Sequence, residues 1–167
     1  MIIAGIDEAG YGPMLGPLVI SVAVFRVETP VSDEALSRPV GDLWPALDPL
    51  VTRKPNDGCI PVNDSKKLYS SGKGLRNLEE GLLPFVLLRH EKLPKTLREL
   101  LRKLSRRGRG AADGYLEEYP WYAKVDLPIP VDTYKPVLCR LSEKLASRLT
   151  DAKVEFLGLS TIPVEVV

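Results

Sequence analysis

Asp7 and Glu8 are neighbouring carboxylates at the end of an apolar run, Met1 to Ile6, and they lead straight into a glycine-rich turn. Carboxylate oxygens are the ligands that hard cations such as Mg²⁺ and Mn²⁺ prefer. Successive residues of a regular strand point to opposite faces, so both acids serve one metal centre only if the pleat stops at that point. Gly10 and Gly12 make such an irregular path sterically accessible. They also let main-chain N–H and C=O groups come close to a sugar–phosphate backbone. The plainer reading is a strand-end acid pair in a tight turn, and the dipeptides alone leave both readings open.

Other familiar chemistries lack their residues. Cys59 and Cys139 are far apart, and neither has a Cys or His at metal-ligand spacing, so a zinc site is not expected. The single histidine, His90, has no Ser or Cys nucleophile motif beside it and reads as an ordinary, partly exposed side chain. Charge is unevenly spread. Lys92 to Arg109 holds eight basic residues and one acid, Glu99, a net +7 in a chain whose total is +1. A polyanion-binding face has this asymmetry. So does a solvated helix face followed by a basic loop. Tyr115, Tyr119, Trp121 and Tyr122 form an aromatic–acidic stretch that is either a stacking platform for bases or a loop packed on the core.

The elements that position these groups follow from the apolar pattern. The chain has 167 residues, 44% hydrophobic and 27% charged, which suits one soluble globular domain. Its 15 prolines and 13 glycines predict many breaks and long loops. Residues 1–7 and 18–27 read as strands, the second rich in β-branched side chains. A short helix is expected within Gly41–Leu50. Apolar residues from Leu75 to Leu88 keep helical spacing, with Pro84 expected to kink or split that helix. Leu97, Leu100, Leu101 and Leu104 mark an amphipathic helix with the basic residues on its other face. Residues 134–149 form the clearest helix, with Asp132 or Thr133 as N-cap and Pro136 in its first turn. Lys153 to Leu159 reads as a third strand, followed by an extended run, Ile162–Val167. No run approaches the ~20 apolar residues of a membrane span. The N-terminus has neither the basic region nor the long apolar region of a signal peptide, which favours the cytoplasm.

Two strings together are more specific than either acid pair or helix. Gly5-Ile6-Asp7-Glu8-Ala9-Gly10-Tyr11-Gly12-Pro13, followed by Gly16-Pro17-Leu18-Val19, resembles the first motif of type 2 ribonucleases H. Asn63-Asp64-Ser65-Lys66-Lys67-Leu68 resembles that family's second motif, and the two occur in the family's order. The resemblance covers about a third of the chain; residues 28–58 and roughly 89–150 read as insertions. It implies an α/β, ribonuclease H-like fold: a partial mixed sheet whose first three strands are antiparallel, with helices packed on it. It also implies a metal-dependent endonuclease that cuts the RNA strand of RNA–DNA hybrids, or of duplexes containing ribonucleotides, with Mg²⁺ or Mn²⁺. Asp7 and Glu8 then match the first two metal-binding carboxylates. Gly10, Tyr11 and Gly12 match the turn that senses the ribose 2′-hydroxyl, the group that distinguishes RNA from DNA. Lys66 matches a phosphate-contacting lysine, with Ser65 and Lys67 beside it.

Two departures stand out. Tyr11 replaces an arginine that would pair with phosphate bidentately, whereas tyrosine offers one hydroxyl and a ring. The family holds two ions with about four carboxylates, the third and fourth coming after the third strand. Asp64, Asp113, Asp126 and Asp132 remain, none in a matching context, and Asp64 is expected to cap the segment after it. The chain is therefore expected to be the N-terminal part of a longer ribonuclease H-like protein. The alternative is a non-catalytic nucleic-acid-binding module that has lost the catalytic carboxylates.

Overall fold

The computed structural model describes residues 1–9, 18–28, 43–69, 72, 74–105 and 126–164. It is a mixed α/β structure. In chain order the elements are β1 (Ile2–Ala9), β2 (Leu18–Val27), α1 (Leu43–Leu47), β3 (Val51–Thr52), β4 (Ile60–Pro61), α2 (Ser65–Leu68), α3 (Arg76–His90), α4 (Leu97–Leu104), α5 (Lys135–Asp151) and β5 (Val154–Val164). One sheet has the order β1-β2-β5. The Val27 N–H donates to the Met1 carbonyl (2.8 Å) and the Glu28 N–H to that of Lys153 (3.0 Å). The end of β2 thus lies beside the starts of both neighbours, and the three strands are antiparallel, as expected. The third strand and the extended run after it are one element, reaching Val164. A second sheet, β3 with β4, is parallel and pairs Val51 with Ile60 and Thr52 with Pro61. It was not foreseen, because strands of two residues leave no period to read.

The described residues divide into two compact units: those within 1–3, 25–93 and 130–157 form the first, and those within 4–24, 94–129 and 158–164 the second. The first unit holds most of the apolar core. Its helices α3 and α5 pack on each other, and Leu83, Val86, Leu138 and Leu145 are almost fully buried, with Ile60 of β4 beside them in burial. Phe25, Phe85 and Phe156 meet edge-on or tilted, with ring centroids 5.2–6.4 Å apart, in the arrangement aromatic quadrupoles favour.

α3 corrects one part of an expectation, that Pro84 splits it. It runs unbroken from Arg76 to His90 through Pro84. A mid-helix proline costs about 3 kcal/mol through its missing N–H and its ring clash. Here the ring is buried, and the Ser142 hydroxyl of α5 donates to the Pro84 carbonyl at 3.1 Å. Packing on α5 therefore offsets the local penalty. The N-cap of α5 is a second correction. Its cap residue is Tyr134, without a side-chain cap bond. Asp132 instead accepts the Leu75 N–H (2.7 Å) at the start of α3, and the Thr133 hydroxyl faces the Arg76 carbonyl (3.4 Å). In return, Glu79 of α3 accepts the backbone N–H groups of Val131, Asp132 (3.0 Å) and Thr133 (2.8 Å). Two carboxylates thus lock the first turn of α3 to the 131–133 turn reciprocally.

In the second unit, α4 opens with a capping arrangement. The Thr96 hydroxyl accepts the Glu99 N–H at 3.2 Å, and Glu99 reaches back to accept the Lys95 N–H at 2.8 Å. Asp126 adds a tertiary cap by accepting the Arg98 N–H at 3.1 Å. Leu100 and Leu104 supply the buried face.

Candidate functional site

The first motif sits on an edge strand. β1 continues through Asp7 and Glu8 to Ala9, so the pleat does not stop at the acid pair, and the two side chains fall on opposite faces. Both are exposed, and Asp7 Oδ1 accepts the Glu8 N–H at 3.0 Å. Among the described residues β1 has a neighbour on one side only, and Ile2 and Ile6 are 55% and 71% exposed. Gly10, Tyr11 and Gly12 lie outside the described residues. So do the aromatic stretch 115–122 and the end of the basic segment beyond Ser105. Among the described residues, no three His, Cys, Asp or Glu side chains gather as metal ligands. In this regular strand Asp7 and Glu8 point to opposite faces, and two carboxylates by themselves are too few for a centre of two ions.

The second motif is built more fully. Asn63 donates from its side-chain amide to the Arg53 carbonyl (2.8 Å) and accepts the Asp64 N–H (2.8 Å) on its own oxygen. Asp64 is the N-cap of α2 and accepts the Lys66 N–H at 2.9 Å, the capping role expected of it. Leu68 is buried under the short helix, while Ser65, Lys66 and Lys67 face solvent. The Leu68 carbonyl accepts the side-chain amide of buried Asn77 at 2.8 Å, which fastens α2 to α3. Polar side chains thus hold the backbone of this motif and leave its cations free to face a ligand.

The same corner carries a pair of cations that the motif does not include. The Val62 N–H donates to the Thr52 carbonyl at 2.8 Å, so the parallel β3–β4 pair delivers Arg53-Lys54 and Asn63–Lys67 from one end. Both Arg53 and Lys54 are exposed, and the Arg53 guanidinium lies 4.8 Å from the centroid of the Trp44 ring. Sequence reading missed these two because ten residues separate them from Asn63. Nearby, Glu80 holds Arg76 protonated to higher pH than an ordinary arginine, first through a hydrogen bond and then through its charge; burial opposes this and Asp57 adds to it.

Cys59 and Cys139 are free thiols, the former directed at the Pro49 carbonyl (3.4 Å). No described helix is long and apolar enough to cross a membrane. No family model, no curated protein and no solved structure matches the chain.

Proposed function

We propose that this chain engages RNA–DNA hybrids as part of a metal-dependent endonuclease of the type 2 ribonuclease H kind, with Mg²⁺ or Mn²⁺ as its cofactor. The observation that carries the reading is the ordered pair of motifs: Asp7-Glu8 entering a glycine turn, then Ser65-Lys66-Lys67. The three-stranded antiparallel sheet and the solvent-facing Ser65, Lys66 and Lys67 are compatible with it. On this reading Asp7 and Glu8 are the first carboxylates of the metal site, the end of β1 leaves its regular pleat when the ion binds so that both can reach it, and catalysis requires further carboxylates from outside the described residues. Gly10, Tyr11 and Gly12 approach the ribose, and Ser65, Lys66 and Lys67 contact phosphate.

The test is cleavage of an end-labelled hybrid by the longest natural form of the protein, with Mg²⁺ or Mn²⁺. The expected product is a cut in the RNA strand alone. Asp7→Asn should lower the rate more than about 100-fold, because even outer-shell partners of metal ligands are worth 10–100-fold. Asn keeps the oxygen that accepts the Glu8 N–H, so stability should hold within about 0.5 kcal/mol. An intact hybrid, under conditions in which a known ribonuclease H cuts it, overturns the catalytic reading.

A second reading has its own support. The acid pair lies in a continuous strand, which turns its two side chains to opposite faces. On this reading the chain binds nucleic acid without cutting it. Salt-sensitive hybrid binding without cleavage by any natural form selects it.

A further inference from the structure

The parallel pair β3–β4 places two basic segments at one end of a two-stranded sheet. Thr52 is in register with Pro61, and the segments after them, Arg53-Lys54 and Asn63–Lys67, are tied by the Asn63 side chain on the Arg53 carbonyl. Adjacent strands lie about 4.8 Å apart, so four exposed cations, Arg53, Lys54, Lys66 and Lys67, share one corner of the first unit. The local acids do not cancel them. Asp64, which caps α2, offsets one charge of the four, and Asp57 lies 3.6 Å from the Arg76 guanidinium, so positive charge stays in excess at the corner.

Arg53 is also preorganised. Its guanidinium lies over the Trp44 ring, 4.8 Å from the centroid, a cation–π contact that restrains where the planar fork can sit. A fork held this way matches the paired oxygens of a phosphate.

We infer that Arg53 and Lys54 extend the contact of Lys66 and Lys67 along a nucleic-acid backbone, so that this corner grips consecutive phosphates of a duplex. The inference rests on the nucleic-acid reading above and adds to it two residues outside either motif. Phosphate contacts position a duplex without reading its sequence, so the corner acts alike on hybrid and DNA.

The test is fluorescence anisotropy of the full chain with a short labelled RNA–DNA hybrid and with a DNA duplex of the same length, across salt concentrations. The variants are Arg53→Gln/Lys54→Gln and, as a control with the same loss of charge, Arg89→Gln/Arg140→Gln. All four positions are exposed, and each variant should melt with the parent. Each lost phosphate contact lowers the salt slope by about 0.9, so the corner variant should lose about two units of slope with both duplexes. Between about 50 and 200 mM salt, the drop in affinity should then be roughly tenfold smaller than in the parent. The control should keep the parental slope. If the parent binds and the corner variant keeps its slope, or the control loses as much, the inference fails while the nucleic-acid reading stands. If the parent binds neither duplex, both fail.

Discussion

A methyl group on Gly81 would stand 2.5 Å from the Pro61 carbonyl oxygen, closer than any real carbon contact allows. The glycine is what lets α3 lie directly on β4. Gly81→Ala should therefore destabilise the protein by about 1–3 kcal/mol, the usual cost of overpacking. A urea titration checks it: the midpoint falls while the slope holds, since the surface exposed on unfolding is unchanged. Gly74 is constrained twice over. Its φ is +53°, and a Cβ there would collide with the Asp132 carboxylate that caps α3. Neither requirement is visible in the local sequence, where a glycine at the start of a helix and another within it look only like weak helix formers.

Helices here are defined as much by distant partners as by their own residues. α4 was legible because its signals are local: leucines at 97, 100, 101 and 104, a threonine before them and a glutamate three residues on. Thr96→Ala should cost about 1 kcal/mol, the typical value of an N-cap, seen as a lower thermal midpoint. α3 was legible in its apolar spacing but not in its continuity through Pro84 or its N-terminal lock. Glu79 looks like a solvent-facing acid in sequence, yet it is 8% exposed and accepts three backbone N–H groups from residues more than fifty positions away. Charge-assisted bonds exceed neutral ones, and a truncation leaves three donors without their acceptor. Glu79→Ala should accordingly cost about 3 kcal/mol or more, read by equilibrium unfolding. A loss under about 1 kcal/mol would mean that the 131–133 turn is held by something else.

Across the whole chain, apolar burial is concentrated rather than spread. The first unit contains the α3–α5 pair, the three-phenylalanine cluster and the fully buried Ile60, Leu83, Leu138 and Leu145. In the second unit, Leu100 and Leu104 are the described core hydrophobics. Stability should respond accordingly. Leu145→Ala, at a position with 0% exposure, should remove about 2–5 kcal/mol, the range for a buried leucine that leaves a cavity. Chemical denaturation of the full chain measures it. A cost below about 1 kcal/mol would contradict the tight packing of α5 on α3.

By itself the sequence determined the order of the long elements, the cap of α2 by Asp64 and both candidate motifs, whereas the antiparallel run of the three main strands was expected only from the resemblance. The former depend on period-two or period-3.6 patterns and on residues within four positions of one another, so they can be read along the chain. Only the tertiary structure decided that Pro84 stays helical, that Asp132 caps α3 rather than α5, and that Arg53 stands beside Asn63. It also decided that β1 keeps its pleat through Asp7 and Glu8. Such outcomes turn on which surfaces meet after the chain folds back, where burial and hydrogen bonds between distant residues outweigh local preference.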